Sequence, residues 1–159
     1  MREGYAMGYI QTMRRKIGHD PLIVVGASVI LVNAEGWVLL QRRADNGMWG
    51  YHGGCVELFE NVEDAARREL YEETGLTAGG MALFGVFSGP ELDFTYPNGD
   101  RVSVVDCVYL CRDYSGTPRM QREEVTELGW FSPRALPAEI TSANRPALRK
   151  WAEGAADMR

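Results

Sequence analysis

The sequence predicts an α/β (α+β) fold of one domain, and three observations carry the prediction. Two β-rich runs, Leu22 to Val32 and Trp37 to Arg43, follow one another across a turn. A helical pattern then runs from Asn61 to about Thr74, between a capping residue and a glycine stop. Two more β-rich runs, Met81 to Ser88 and Arg101 to Leu110, come after it. At 159 residues, 45% of them hydrophobic, the chain has the size of a single domain with a proper core. Residues 1 to 20 read as an N-terminal extension and 21 to 159 as the domain itself.

Within the extension, Tyr9, Ile10, Met13 and Ile17 are spaced like one face of a short helix. They are expected to pack on their own domain, with a homodimer contact as the alternative. Leu22 to Val32 is rich in β-branched residues and reads as a strand buried on both faces. Asn33-Ala34-Glu35-Gly36 is a turn, and Trp37 to Arg43 is expected to pair back as a hairpin. Arg14-Arg15-Lys16 ahead of this apolar run loosely resembles an export signal, but Gly26 and Ser28 interrupt the run and Gly18 to Pro21 separate it from the basic cluster. Its 11 residues are also too few for a bilayer, which needs about 20. The expectation is a cytoplasmic protein with no membrane partner.

Asp45-Asn46-Gly47 leads into Met48-Trp49-Gly50-Tyr51-His52-Gly53-Gly54, where paired glycines let backbone approach a ligand closely. In the helix that follows, Asn61 is the N-cap and Gly75 the C-terminal stop, while Val62, Ala66 and Leu70, with Ala65 alongside, form the stripe that docks on a sheet. Glu69, Glu72 and Glu73 at i, i+3 and i+4 share another face. Like charges so placed cost a helix about 0.2–0.5 kcal/mol per pair, so a cation is expected there. Magnesium fits, because it takes oxygen ligands and typically uses one or two carboxylates plus substrate phosphates. Further on, Pro97-Asn98-Gly99-Asp100 is a hairpin turn. Arg112 to Gln121 is an irregular connection, Thr126 to Phe131 a strand, Ser132-Pro133 the start of a helical turn, and Ala147 to Ala155 a helix that Pro146 initiates.

The stretch from Gly54 to Leu76 resembles, at every fixed position, the box of the Nudix (MutT-like) hydrolases, written G-x5-E-x7-R-E-U-x-E-E-x-G-U with U aliphatic. Gly54, Glu60, Arg68, Glu69, Leu70, Glu72, Glu73, Gly75 and Leu76 meet it. The resemblance extends over roughly Leu22 to Pro137. It implies a central mixed sheet sandwiched between helices, with the Leu-Leu-Gln-Arg-Arg strand in that sheet, and hydrolysis of a nucleoside diphosphate linked to another moiety with Mg²⁺ or Mn²⁺ as cofactor. By the same resemblance Glu69, Glu72 and Glu73 are metal ligands together with the Gly53 carbonyl, and Arg68 orients Glu69. Glu60 pairs within the loop–helix unit. The general base is Glu69 or a later loop acid, Glu124 first, with Glu123 and Glu127 as runners-up. Arg42, Arg43 and the backbone at Gly54 are placed near the substrate, and Gly54, Glu60 and Gly75 hold the shape of the box.

Two positions depart from the family's usual pattern. His52 stands where proline is common, and Phe59 where glycine often precedes the first box glutamate; a φ above zero at 59 would strain a phenylalanine. Pro90, fourteen residues after Leu76, lies near the place about fifteen residues beyond the box where ADP-ribose pyrophosphatases resemble one another in a proline, which tilts the substrate towards ADP-ribose-like, nucleotide-sugar or dinucleotide compounds, with an oxidised nucleoside triphosphate as the alternative. A non-catalytic binding module would be expected to lose box carboxylates, and this chain keeps them. Trp49, Tyr51, Phe84, Phe87, Phe94 and Tyr96 supply aromatic rings able to stack a base. A net charge of −5 offers no basic surface for long nucleic acid. The phosphate-bearing partner is therefore expected to be a small nucleotide-derived molecule. Cys55, Cys107 and Cys111 lack zinc or redox spacing and read as reduced thiols.

Overall fold

A computed structural model of the chain describes residues 8–157. The first seven residues of the extension lie outside them. Helix α1 (Tyr9–Ile17) is followed by strands β1 (Leu22–Leu31), β2 (Val38–Arg43), β3 (Trp49–Gly50) and β4 (His52–Cys55), then by α2 (Val62–Thr74). Strands β5 (Thr77–Ala78), β6 (Met81–Phe87), β7 (Asp93–Thr95), β8 (Arg101–Cys111), β9 (Tyr114–Ser115) and β10 (Val125–Phe131) lead to α3 (Arg145–Asp157).

The main sheet has the order β4-β1-β8-β6, with β7 pairing the early part of β8. It is mixed because β1 and β8 run parallel, from Leu22↔Val102 to Leu31↔Cys111, while the other pairings are antiparallel. A parallel pair needs a long crossover. Here α2 and β6 lie within it, and α2 packs back on the sheet it crosses.

Two expectations about β2 are corrected. The turn at Asn33–Gly36 forms, with Asn33 Oδ1 accepting the N–H groups of Glu35 and Trp37. Beyond the Val32↔Val38 bridge, however, β1 and β2 part into different sheets. A strand has two edges, and those of β1 are already taken by β4 and β8. The Leu-Leu-Gln-Arg-Arg strand therefore lies in a separate antiparallel sheet of order β10-β2-β3. The helical turn expected at Ser132-Pro133 is a single hydrogen-bonded turn, in which Ser132 O accepts the Ala135 N–H and Ser132 Oγ that of Arg134.

Alternation along β1 and β2 divides the core in two. Ala27, Val29, Leu31 and Leu39 face α2, meeting Ala65, Ala66, Leu70 and Leu76. Ile30, Val32, Val38 and Leu40 face the other way, against Val108 and the Ala147, Leu148 and Trp151 of α3. The sheets are thus sandwiched between α2 and α3. Helix α1 spends its apolar stripe on its own domain: Ile10, Met13 and Ile17 pack on Leu22, Val24 and Val102. The three cysteines are free thiols. Among the described residues no helix is long and apolar enough to cross a membrane.

Candidate active site

Helix α2 begins and ends where its sequence dictates. Asn61 is extended and its side chain accepts the Glu63 N–H at 3.0 Å; Gly75 adopts the left-handed conformation (φ 76°) that ends a helix without Cβ strain. Docking of Ala65, Ala66 and Leu70 on β1 fixes the helix's rotation, and the glutamates are left on the side of β4 and the glycine loop.

Arg68 is the hub of that side. Its Nε and Nη2 donate to the two carboxylate oxygens of Glu60 at 2.7 and 3.0 Å, and Nη1 donates to Glu69 at 2.9 Å and Glu72 at 3.2 Å. The fork-to-fork contact with Glu60 is the strong geometry for a guanidinium and a carboxylate. Glu60 also accepts the Glu57 N–H at 3.1 Å, so the box loop is tied to the helix through this one acid. Hydrogen bonding to Glu60 holds Arg68 above the ordinary arginine range. Burial pushes the Glu69 carboxyl up, Arg68 opposes that, and the charges of Glu73 and Glu72 add to the rise.

Glu73 faces a different set of groups. Its Oε2 accepts the Gly53 N–H at 3.1 Å and the Gln41 amide at 3.3 Å, and His52 Nδ1 stands 3.5 Å away. His52 is fully buried on β4, and neither ring nitrogen has a hydrogen-bond partner among the described residues. The two glycines beside this contact are closely packed. A Cβ at Gly54 would run into the Glu69 carboxylate, and one at Gly53 into Ser28 Oγ and the Ala27 carbonyl. Phe59, at φ 65° and 87% exposed, holds the left-handed conformation in the loop. Among the described residues it is the one non-glycine that does.

Two cavities of about 240 Å³ each meet at Glu73, Gln41 and Arg43. The first is walled by Tyr51, Leu92, Phe94 and Tyr96, with the amides of Asn46 and Asn144 at its margin. Its floor carries a buried network: Asp106 accepts from Ser28 Oγ at 2.8 Å through Oδ1 and from the Tyr51 hydroxyl at 2.9 Å through Oδ2, while burial raises the Asp106 carboxyl and the Tyr51 phenol. The second cavity is lined by Asp45, Gln121, Glu123 and Glu124.

The residues singled out in the sequence divide accordingly. Glu60, Arg68, Glu69 and Glu72 form one hydrogen-bonded cluster, Glu73 and Gly53 a contact beside it, and Glu124 and Glu123 line the cavity that Glu73 enters. Arg43 borders both cavities and is paired bidentately with Asp45 at 3.0 and 2.7 Å. Arg42, its neighbour on a pleated strand, points to the opposite face, where it bonds the Gly47 carbonyl and Glu127. Of the six aromatics, Tyr51, Phe94 and Tyr96 line the first cavity. Trp49 is in the core against Phe131, and Phe84 and Phe87 stack under Lys150. Pro90 opens a 3-10 turn that puts Leu92 in the cavity wall. Sequence reasoning missed Gln41, Ser28, Asp106 and Asn144; the alternation of Gln41 with Arg43 was the available signal for the first.

Among the described residues no three acidic, histidine or cysteine side chains converge as a ready-made metal site, since Arg68 holds Glu69 and Glu72 while Glu73 turns to Gly53. The donor set nevertheless suits a hard cation: three carboxylates lie on one helix face, and Gly54 of β4 is closed down on one of them.

The loop–helix unit, with an arginine spanning its first and second acids, defines a class of small α/β hydrolases. Residues 22–151 match the NUDIX domain, and the chain belongs to that family. It is 29% identical over 133 residues to the putative 8-oxo-dGTP diphosphatase of Bacillus subtilis, covering 84% of this chain and 83% of that protein. It is 38% identical over 110 residues to the ADP-ribose pyrophosphatase of Methanocaldococcus jannaschii, covering 67% of this chain but only 61% of the relative. Among solved structures, the MutT NUDIX hydrolase from Burkholderia pseudomallei superposes with a TM-score of 0.68 at 33% identity, over 80% of this chain and 97% of that one.

Proposed function

We propose that the protein hydrolyses a nucleoside diphosphate linked to another moiety, an ADP-ribose-, nucleotide-sugar- or dinucleotide-like compound, by attack of water on one phosphorus of the diphosphate. The observation that carries this reading is the meeting of two cavities at Glu73, on the acidic face of α2, with Arg43 on their shared border. Glu69, Glu72, Glu73 and the Gly53 carbonyl are the oxygen donors for Mg²⁺ or Mn²⁺. When bound, such an ion lowers the pKa of water and neutralises charge building on the diphosphate. Arg68 keeps Glu69 oriented. Glu69 or Glu124 takes the proton of the attacking water, the new P–O bond forms as the bridging one breaks, and a nucleoside monophosphate leaves with a second phosphorylated product. Arg43 offers its guanidinium to phosphate at the junction, while Arg42 lies on the opposite face of the strand, held by the Gly47 carbonyl and Glu127. Tyr51, Phe94 and Tyr96 give the first cavity the aromatic wall a nucleobase stacks on.

A second reading, hydrolysis of an oxidised nucleoside triphosphate, is favoured by the 83% coverage of the Bacillus subtilis relative, whose name carries that activity. Phosphate release from ADP-ribose, NADH, diadenosine polyphosphates, nucleotide sugars and nucleoside triphosphates, with Mg²⁺ or Mn²⁺, separates the two when a phosphatase is added to free phosphate from the monoester products and an inorganic pyrophosphatase where pyrophosphate is the product. Turnover confined to triphosphates would replace the first reading by the second. Glu73→Gln is expected to lower turnover at least about a hundredfold with an unchanged circular dichroism spectrum. Undiminished turnover would remove the carboxylate face from the mechanism.

A further inference from the structure

Of the polar groups around Glu73, His52 has no part in the chemistry proposed for the site. Strand β4 pairs antiparallel with β1, His52 opposite Val29 and Gly54 opposite Ala27. Cross-strand partners share a face, and Val29 and Ala27 are packed under α2. The imidazole is therefore enclosed between β1 and α2, with no exposed surface. Its Nδ1 lies 3.5 Å from Glu73 Oε2, and neither ring nitrogen has a hydrogen-bond partner among the described residues. Polar groups are costly to bury unpaired, and an apolar side chain of similar volume would fill the same space without that cost. Gln41 repeats the arrangement from β2: it is buried, its Nε2 donates to the same Oε2 at 3.3 Å, and its own Oε1 is unpartnered. With the Gly53 N–H at 3.1 Å, donors from two sheets converge on one carboxylate oxygen. The other oxygen of Glu73 has no hydrogen-bond partner among the described residues.

We propose that His52 is a positioning residue for Glu73: with its hydrogen on Nδ1 it donates to Oε2 and holds that oxygen, so that Glu73 offers its other oxygen to the cation. The proposal rests on the reading of Glu73 as a metal ligand. Closing the contact from 3.5 Å to the ordinary hydrogen-bond length takes a shift of about half an ångström. The tautomer with its hydrogen on Nδ1 uses the one N–H the ring has and leaves only an acceptor unpaired. The contacts from Gly53 and Gln41 are both longer than the most favourable length, so a third donor adds restraint that they do not supply. Restraint matters at this place. Glu73 stands where the two cavities meet, with room for its side chain to swing, and Mg²⁺ demands near-ideal ligand geometry. Groups that fix the orientation of a metal ligand are worth about ten- to a hundredfold in metal affinity. A proline at this place would supply no such donor, so the contact is a property of this chain and not of the box.

Binding of Mn²⁺ to the full chain without substrate, followed by the electron paramagnetic resonance of the free ion, tests this apart from turnover. His52→Leu fills the space without a donor and is expected to weaken Mn²⁺ binding about ten- to a hundredfold. His52→Asn puts an amide N–H near the place of Nδ1 and is expected to bind about tenfold more tightly than His52→Leu. Nitrogen NMR of histidine-labelled wild type is expected to show the His52 hydrogen on Nδ1 and a shift of that signal on titration with diamagnetic Mg²⁺. The chain has two histidines, so the exposed His19→Gln assigns the signal. Unchanged Mn²⁺ affinity in a folded His52→Leu overturns the proposal, as does an asparagine variant that binds no better than the leucine one. A His52 hydrogen on Nε2 overturns it too, and that is read in wild-type protein whether or not the variants fold. Glu73→Gln separates the two levels of the argument. If it loses Mn²⁺ affinity and His52→Leu does not, the ligand set stands and this proposal alone falls. If Glu73→Gln keeps wild-type affinity, Glu73 leaves the ligand set and the proposal goes with it.

Discussion

Replacing Arg68 by methionine keeps much of the side chain's apolar stem while deleting the guanidinium that serves three glutamates. The acids it leaves behind differ in their access to water: the Glu60 side chain is 10% exposed, Glu69 16% and Glu72 54%, against 25% for Arg68 itself. Stripping the partner from a fully buried charge costs about 3–5 kcal/mol, whereas exposed pairs give about 0–1 kcal/mol. Glu72 falls in the second group, and Glu60 and Glu69 between the two. A loss of about 2–3 kcal/mol is therefore expected for Arg68→Met in metal-free buffer. In a chain of this size that corresponds to a fall in Tm of about 4–12 °C. Urea titration of the wild type, Arg68→Met, Glu60→Gln and the double variant isolates the Glu60 contact, with an expected coupling of about 1–2 kcal/mol. If Arg68→Met costs under about 0.5 kcal/mol, or the cycle shows no coupling, the hub is a screened surface contact and the argument for a rigid loop–helix unit fails.

Phe59 sits at φ 65°, where an L-residue bears about 1–2 kcal/mol of strain that glycine escapes, so Phe59→Gly should be about 1 kcal/mol more stable than Phe59→Ala in urea titration. An alanine variant as stable as the glycine one would mean that the loop relaxes. Burial raises the Asp106 carboxyl above its unfolded value, so the folded state keeps that proton to higher pH than the unfolded state. Stability from this group is therefore lost as pH rises from about 4 through the folded pKa. The stability of Asp106→Asn relative to wild type should climb over that window, and a flat or falling difference would contradict the assignment. Gly54→Ala pushes a Cβ against the Glu69 carboxylate and should cut turnover about ten- to a hundredfold without changing the circular dichroism spectrum; full activity would show that Glu69 has room to move.

Local signals in the sequence carried local features faithfully. Asn61 and Gly75 set the limits of α2, because cap chemistry is written within a few residues. Arg68 reaches Glu60 because loop and helix are adjacent in sequence. The doubt raised over Phe59 was also a local question of φ, and the structure places it in the left-handed region. What stayed hidden depends on partners far along the chain. The parallel pairing of β1 with β8 uses up the edge that a β1–β2 hairpin would have needed, and no short stretch announces it. The Ser28–Asp106–Tyr51 network likewise joins β1, β8 and the link between β3 and β4, and Asn144 meets the Tyr51 N–H from the turn before α3. The contrast between Arg42 and Arg43 was readable, since neighbours on a strand face opposite ways and only one could border the Gln41 side.

Strand β1 belongs to both halves of the core, with Val29 and Leu31 under α2 and Ile30 beside α3. Neither helix can peel away and leave the other half dry, so the two layers should melt as one cooperative unit and the central β1 amides should exchange with solvent only on global unfolding. The partner of this strand is also synthesised late. Residues 22–31 must wait for residues 102–111 before their parallel edge is covered, which puts a large loop closure ahead of the core's completion. On the ribosome the most hydrophobic segment of the chain is thus among the first made and the last to be shielded, and during that interval it is the natural point for chaperone attachment or for misassociation of nascent chains.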